Sequence, residues 1–158
     1  MSDAESLLFS TYQLGTATLP NRIVVAPMCQ YSAVDGVAND WHLAHLGQFA
    51  IGGAGLVLVE ATGVTADGRI TAGCLGLWND EQEAALARVV RFNREHGSGG
   101  RIGIQLGHAG RKGSAQAPWL GGKAVPREDG GWTPVSASDV PFGDGWPAPQ
   151  PLDAGGLA

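Results

Sequence analysis

The chain has 158 residues, 44% of them hydrophobic and 16% charged, which is the composition of a globular domain with a sizeable core. Its net charge of −5 argues against nucleic acid or an anionic membrane as a partner, and no apolar run approaches the roughly 18 residues of a membrane span. Because Cys29 and Cys74 are the only cysteines and the N-terminus lacks a signal-peptide pattern, a disulfide framework is excluded and a cytoplasmic location is expected.

The chain opens with a predicted hairpin and a first strand. Residues 1–22 contain the hairpin, with its turn at Gly15-Thr16. The stretch Ile23–Ala26 is apolar and rich in β-branched residues, which predicts a buried strand. Pro27 has no N–H for a sheet ladder, so pairing should stop near it.

A first helix and a second strand follow. The helix is predicted to run from a cap at Asn39 or Asp40 to about Ile51. Its apolar positions recur at helical spacing and give one buried face, made of Leu43, Leu46, Phe49 and Ala50. The second strand, GLVLVEA, is apolar without alternation, which is typical of a parallel strand covered on both faces. The segment TGVTADGRITAGCLGLW is predicted to be a loop.

A second helix is predicted to begin after Asn79 and to end at Gly97. Gln82 lies three residues after Asn79, as in a capping box, and acidic residues precede basic ones along the helix, as its dipole favours. The predicted buried stripe consists of Leu86, Val89, Val90 and Asn93. The third strand is RIGIQL, so residues 23–106 alternate strand and helix, which predicts parallel strands with helices packed outside.

The segment from Gly107 to Pro151 shows no periodicity. It carries seven of the nine prolines and three of the five tryptophans. Compact domains rarely hold so long an irregular stretch unless it is functional, and disordered linkers are poor in aromatic residues. We therefore interpret residues 107–151 as a lid over the strand ends, and Asp153 is predicted to cap a further helix.

Three parallel strands do not make a closed structure. They leave two open edges, which invite pairing with another chain, and a (β/α)8 barrel typically needs about 250 residues. The sequence therefore predicts an α/β fold that is the N-terminal portion, about three strands of eight, of a TIM barrel, with the rest supplied elsewhere. A small open α/β domain that is complete as it stands is the alternative.

Several stretches between Phe9 and Lys112 resemble old yellow enzymes, most closely their cysteine-containing bacterial branch of xenobiotic reductases. These stretches are NRIVVAPMCQYSA, DWHLAHLGQFAIGGAGLVLVEATGV, DGRIT, LGLWND and IGIQLGHAGRK. The resemblance implies a (β/α)8 barrel, FMN as cofactor, NADPH or NADH as hydride donor, and an unsaturated carbonyl compound as substrate. It also implies a complementary C-terminal barrel portion as partner and a homo-oligomer once assembled. A half-barrel that only associates through its strand edges, without catalysis, is the competing hypothesis.

The resemblance also implies site residues at the carboxyl ends of the strands, where barrels of this kind place their active sites. The implied FMN contacts are Ala26, Pro27, Met28, Cys29, Ala61 and Gln105. Gln105 can both donate and accept hydrogen bonds at the pyrimidine edge of the flavin. The implied substrate-binding residues are Tyr31 and Ile70. No residue of this chain is assigned as the catalytic acid, base or nucleophile.

Each of these assignments has a structural alternative. Cys29 is expected to tune flavin reactivity, but a buried thiol can also act as a small hydrophobe. Tyr31 could be a half-buried core phenol, and Ile70 could pack against the lid. His42 and His45 lack a third ligand at metal-binding spacing, so we expect structural roles and no metal.

The remaining expectations concern loop residues and those functional residues of the family that have no counterpart in this sequence. His108 and Arg111 are expected to shape the base of the lid, and Cys74 is expected to be structural or merely exposed. Ala26 stands where many relatives carry a serine or threonine that reaches the ribityl chain, so that contact is absent. The histidine pair that holds the substrate carbonyl, the proton-donating tyrosine and the phosphate-binding loops of the family have no counterparts in these residues.

Overall fold

The computed structural model describes residues 6–156. These residues form a small hairpin, a parallel three-stranded sheet with two helices, and a long irregular segment. Among them, no helix has both the length and the apolar character needed to cross a membrane. The first five residues of the predicted hairpin segment, 1–22, lie outside the described range.

The predicted hairpin is present. Strand β1 (Tyr12–Leu14) pairs in antiparallel fashion with β2 (Ala17–Leu19). Gly15 has a φ of 57°, which tight hairpin turns need and which glycine adopts without a Cβ clash. A 3-10 turn at Leu7–Phe9 precedes β1. Arg22 N–H donates to the Leu8 carbonyl at 2.9 Å, so the chain after β2 is bonded to this turn.

The central sheet contains three parallel strands in the order β3-β4-β5. They are β3 (Val24–Val25), β4 (Leu56–Gly63) and β5 (Arg101–Gly107). The strand predicted over Ile23–Ala26 is therefore shorter than expected, although the Ile23 carbonyl still accepts a hydrogen bond from Leu56 N–H at 3.2 Å. Pairing stops before Pro27, as predicted.

The first helix, α1 (Asp40–Ile51), begins at Asn39. The Asn39 side chain accepts a hydrogen bond from Trp41 N–H at 3.0 Å, and His42 Nδ1 accepts one from Asn39 N–H at 3.1 Å. The N–H groups of Asn39 and Trp41 are therefore satisfied, and Asn39 and His42 form a capping box at the start of α1. Sequence reasoning did not expect histidine in that role.

The second helix, α2 (Asp80–His96), begins at Asn79, whose side chain accepts a hydrogen bond from Gln82 N–H at 3.0 Å. The capping box predicted there is nevertheless wrong, because the Gln82 side chain does not return to Asn79. It accepts from Trp78 N–H at 2.9 Å and donates to the Asp35 carbonyl at 3.0 Å. The fully buried Gln82 thus joins the chain before α1 to the start of α2.

The two helices cover the same face of the sheet. The buried core between them consists of Ala33, Leu46, Ala54, Val57, Val59, Leu75, Leu86 and Val89. Leu56 and Leu58, on the opposite face of β4, are only half-buried, and Val24 beside them is 50% exposed. The predictions of a buried first strand and of a second strand covered on both faces are therefore wrong for residues 6–156, because both helices pack on one side.

The buried faces of the helices match the predicted stripes in part. In α1, Leu46 and Ala50 are buried as predicted, and His42 and Gly47 are buried as well. A Cβ on Gly47 would lie 2.7 Å from the Phe92 ring, so glycine lets α1 and α2 approach closely. The predicted residues that are only half-buried are Leu43, Phe49 and Val90.

Backbone contacts close the amino-terminal edge of the sheet. A Cβ on Gly55 would lie 2.7 Å from Asn21 Oδ1, and a Cβ on Gly100 would overlap the Ala54 carbonyl oxygen. Asn21 Nδ2 also donates to the Gly53 carbonyl at 2.7 Å. The strands therefore start so close to neighbouring backbone that only glycine fits at Gly55 and Gly100.

The segment interpreted as a lid contains no long helix or strand. Its elements are 3-10 turns at Gly110–Lys112, Pro118–Leu120 and Arg127–Asp129, and the parallel pair β6 (Val135–Ser136) and β7 (Gln150–Pro151). It is fastened to the loop at residues 64–79, between β4 and α2. Ala109 N–H donates to the Gly68 carbonyl at 2.8 Å, and Trp132 Nε1 donates to the Asp67 carbonyl at 2.9 Å. Beyond it, Asp153 Oδ1 accepts a hydrogen bond from Gly156 N–H at 2.9 Å.

Candidate functional site

The residues implied as FMN contacts meet at the carboxyl edge of the central sheet. Ala61 on β4 pairs with Gln105 on β5, and Ala26–Cys29 continues directly from β3. The backbone N–H of Ala61 lies near Cys29 Sγ and acts to lower the pKa of that thiol, so the ends of β3 and β4 are close together. Of the six residues, Ala26, Met28 and Gln105 are exposed, whereas Pro27, Cys29 and Ala61 are half-buried.

A β-bulge at Glu60 sets which side chains reach this edge. Val59 pairs with Ile104 and Ala61 with Gln105, so Glu60 has no partner on β5. Without the extra residue, the side chains of β4 would alternate through to its end and Glu60 would stand beside Gln105. The bulge instead leaves the small Ala61 beside Gln105, which keeps the edge open to the approach of a flat ligand.

The two cysteines of the chain form one thiol pair. The Cys29 thiol donates to Cys74 Sγ, and this contact lowers the pKa of Cys74 to about 6. Thr71 adds to the effect, since its N–H lies 3.4 Å and its hydroxyl 3.5 Å from the same sulfur. The same contact, together with burial, raises the pKa of Cys29. Cys74 is 1% exposed, so of the two alternatives expected for it, structural or merely exposed, the second is wrong.

Tyr31 occupies an unusual backbone conformation directly after this pair. Its φ is 53°, in the left-handed region, and a Cβ on Gly73 would lie 2.5 Å from its carbonyl oxygen. Its ring packs edge-on against Trp119 of the lid, with centroids 5.3 Å apart. Burial, followed by the nearby Cys29, raises the pKa of the Tyr31 phenol, so it stays protonated and able to donate a hydrogen bond at neutral pH.

Ile70 belongs to the loop at residues 64–79 and lies next to the carboxyl ends of β4 and β5. It lines a small cavity of about 150 Å³ together with Ala61, Gln105 and His108. Its carbonyl also accepts a hydrogen bond from Ala115 N–H of the lid at 2.8 Å. The structure thus brings Ile70 to the other implied site residues and at the same time ties its backbone to the lid.

Glu60 and His42 form a buried pair beneath the edge. Glu60 is 3% exposed and His42 1% exposed, and Glu60 Oε1 lies 3.5 Å from His42 Nε2. The other oxygen, Oε2, accepts a hydrogen bond from Gln30 N–H at 3.0 Å. His42 Nε2 has no hydrogen-bond partner among residues 6–156.

The remaining histidines and Arg111 lie outside this cluster. His45 packs edge-on against Phe49 with ring centroids 5.2 Å apart, and burial lowers its pKa. His108 Nδ1 accepts a hydrogen bond from Gly110 N–H at 3.0 Å, and Arg111 donates to Ser138 Oγ at 3.0 Å, so both contacts lie within residues 107–151. In the described part of the chain, no group of three or more His, Cys, Asp or Glu side chains could hold a metal ion.

Sequence reasoning missed three residues of this region. Glu60 carried a usable signal, because a lone carboxylate inside an apolar strand is costly to bury unless donors surround it. Cys74 and Trp119 carried none, since they meet Cys29 and Tyr31 only after the loop and the lid have folded over the strand ends.

The polar and sulfur-bearing side chains lie at the carboxyl ends of the parallel strands, and the helices cover one face of the sheet. Enzymes with a (β/α)8 barrel have this arrangement. Residues 7–128 match the model of the NADH:flavin oxidoreductase / NADH oxidase family, and the chain therefore belongs to that family. An NADH:flavin oxidoreductase of Gibberella zeae is 50% identical over 126 residues, which are 79% of this chain and 30% of that protein. The NADPH dehydrogenase of Listeria monocytogenes serotype 4a is 48% identical over 132 residues, which are 82% of this chain and 38% of that protein.

The fold is also similar to that of morphinone reductase. The match has a TM-score of 0.75 at 30% identity and covers 99% of this chain and 42% of that structure. The resemblance to old yellow enzymes and the prediction of the N-terminal portion of a TIM barrel are thereby confirmed. The chain spans less than half the length of the relatives it matches.

Proposed function

We propose that this chain is part of an FMN-dependent ene-reductase and works with a complementary C-terminal barrel portion. The chemistry that FMN supplies when bound is transfer of a hydride from NADPH, or NADH, to the activated C=C bond of an unsaturated carbonyl compound. The observation that carries the proposal is the family match over residues 7–128. The NADPH dehydrogenases among the relatives support a nicotinamide donor.

The carboxyl edge fits a flavin. Ala26 and Ala61 have the smallest side chains that an L-residue can carry, so a flat ring can approach the backbone there. Gln105 is exposed beside Ala61, and its amide offers both a donor and an acceptor to the pyrimidine edge. Pro27 and Met28 would contact the ring next to Cys29.

The roles proposed for the other side chains follow from their positions. Cys29, which lies near Ala61 N–H and donates a hydrogen bond to Cys74, would adjust the reactivity of the flavin without acting as a nucleophile. Tyr31 keeps its proton at neutral pH and could donate it in a hydrogen bond to a substrate carbonyl. Ile70, in the cavity next to Ala61 and Gln105, would form part of the substrate wall.

An apolar cleft supports the need for a complementary portion. It measures about 710 Å³, lies between α2 and β5, and is lined by Leu86, Val90, Ile102 and Ile104 among others. In a (β/α)8 barrel the next strand and helix pack at this position. The same cleft and the open strand edges also favour the alternative, a non-catalytic half-barrel that only associates with a partner.

Titration of the purified chain with FMN, with and without a fragment that supplies strands four to eight, tests the proposal. We expect weak or undetectable FMN binding by the chain alone. The phosphate-binding loops of such barrels follow strands seven and eight, which the partner fragment would supply. With the partner, FMN binding and NADPH-dependent reduction of 2-cyclohexenone should appear, and the assembled protein should be a homo-oligomer.

Two results would contradict the proposal. An assembled protein that holds FMN but reduces no unsaturated carbonyl compound would support the non-catalytic alternative. Tight, stoichiometric FMN binding by the lone monomeric chain would favour a complete small α/β domain. A Gln48→Leu variant, altered on the exposed surface of α1, serves as the control for handling and assembly.

A further inference from the structure

Glu60 is the only acidic side chain that is buried among residues 6–156, at 3% exposure. A carboxylate loses its hydration when it is buried, and this is costly unless donors in the protein replace the lost water. The surroundings of Glu60 therefore indicate what its charge is used for. None of the roles proposed above for the flavin site involves this residue.

One oxygen of Glu60 accepts a hydrogen bond, and the other lies close to His42. Oε2 accepts a hydrogen bond from Gln30 N–H at 3.0 Å, and Oε1 lies 3.5 Å from His42 Nε2. His42 Nδ1 is already occupied, because it accepts a hydrogen bond from Asn39 N–H at 3.1 Å. The same nitrogen also lies 3.1 Å from Asn39 Oδ1. The tautomer that accepts from Asn39 N–H carries its proton on Nε2, the ring atom nearest to Glu60.

The bulge gives this carboxylate its position. Since Val59 pairs with Ile104 and Ala61 with Gln105, Glu60 is the extra residue of β4. It can turn towards His42 on α1 while Ala61 keeps its place beside Gln105. Bulges that re-aim one side chain are frequent next to active sites.

The segment that Glu60 holds is the one that carries Cys29 and Tyr31. Gln30 is tied at three points: its N–H to Glu60, its side-chain Nε2 to the Met28 carbonyl at 2.8 Å, and its Oε1 to Trp41 Nε1 at 3.1 Å. Of these ties, the one to Glu60 is the only one that reaches the sheet.

We infer that Glu60 is a positioning residue: oriented by His42, its carboxylate fixes the backbone at Gln30 so that Cys29 and Tyr31 face bound flavin and substrate. This inference rests on the proposed function, because the ligands that the segment would face are those of the ene-reductase. It concerns placement only, since Glu60 itself is buried beneath the edge.

The test compares Glu60→Gln with Glu81→Gln, which makes the same change at an exposed position in the first turn of α2. Glu60→Gln replaces one carboxylate oxygen with an NH2 group, so a single acceptor oxygen remains for Gln30 N–H and His42 Nε2 together.

Two measurements are made. Hydrogen exchange of the Gln30 amide in the 158-residue chain needs no flavin. We expect protection in the wild-type chain, exchange about tenfold faster in Glu60→Gln, and unchanged exchange in β5. In the assembled FMN-loaded protein, Glu60→Gln should raise KM for 2-cyclohexenone about tenfold with a smaller change in kcat and should shift the flavin midpoint potential. Glu81→Gln should change none of these values.

Three results would contradict the inference. Wild-type values of KM and potential in Glu60→Gln would overturn the inference while leaving the proposed function intact. An assembled wild-type protein without enone reduction would overturn both. If Glu60→Gln does not fold, the wild-type chain still decides, because a Gln30 amide that exchanges as fast as an unstructured peptide would refute the contact.

Discussion

The thiol pair gives the sharpest test of the site geometry. Replacing Cys29 with alanine removes the donor that faces Cys74 Sγ and leaves Cys74 as the only cysteine of the chain. Every thiolate signal of that variant therefore comes from one residue. Cys29→Ser, which keeps a hydroxyl donor at the same place, is the matched control.

The size of the effect follows from the contacts. The pKa of Cys74 is lowered from its ordinary value of 9.0 to about 6, with the Cys29 hydrogen bond as the largest cause and Thr71 as a further one. A hydrogen bond to a charged group contributes about 1.5–3 kcal/mol, which is roughly one to two pKa units. In Cys29→Ala the Thr71 contacts remain, so the pKa of Cys74 should rise to roughly 7–8, whereas Cys29→Ser should stay lower.

Stability should follow the same titration. The pKa of Cys74 is lower in the folded chain than in the unfolded chain, so the thiolate adds stability that is fully present above about 9 and lost as the pH falls through about 6. The raised pKa of Cys29 acts in the opposite sense, and its contribution disappears only when the pH rises through its folded value. Between about pH 6 and pH 9 the stability of the wild-type chain should therefore rise with pH, whereas in Cys29→Ala this rise should begin only at about pH 7–8.

The assay is the ultraviolet absorbance of the thiolate as a function of pH, with chemical denaturation at several pH values for stability. A midpoint that stays near 6 in Cys29→Ala would show that Cys29 does not cause the low pKa of Cys74. A wild-type midpoint near 9 would refute the pairing itself.

Two further predictions concern the flavin edge and the helix start. Gln105→Leu should weaken FMN binding by the assembled protein roughly ten- to a hundredfold, since the bound flavin would cover this exposed residue and a polar group covered without its partner costs about 1–3 kcal/mol. Unchanged affinity in the titration would remove Gln105 from the proposed site. Gln82→Leu should lower the free energy of unfolding by about 2–4 kcal/mol, because it leaves Trp78 N–H and the Asp35 carbonyl without partners. Denaturation of the isolated chain measures this change, and a loss below about 1 kcal/mol would contradict the role given to these two hydrogen bonds.

The helices and the strand order could be predicted because their signals are local. Asn39 and Asn79 cap their helices through side-chain oxygens that act within three residues. Apolar spacing then gives the length and the buried face of each helix. The open face of β4 could not be predicted, since the same apolar run suits a strand covered on one side or on both.

The site was predictable only as far as family resemblance reached. Ala61 and Gln105 were expected to share an edge, and their pairing brings them together. The positions of Glu60 and Cys74 depend instead on a bulge and on a loop that folds back, which join residues 30 to 45 positions apart. No local pattern encodes such contacts, and the left-handed backbone of Tyr31 has no sequence signal such as glycine.

The two ends of the sheet differ in how much change they can accept. At the amino-terminal edge, Gly55 and Gly100 are pressed against carbonyl groups, so almost any substitution there must displace main chain. At the carboxyl edge, Ile70 and Trp119 contribute side chains from loops whose backbones are held by other contacts. Substitutions at Ile70 and Trp119 should therefore change side-chain contacts such as the packing on Tyr31 while the main chain stays in place, whereas substitutions at Gly55 and Gly100 should yield mainly unfolded protein.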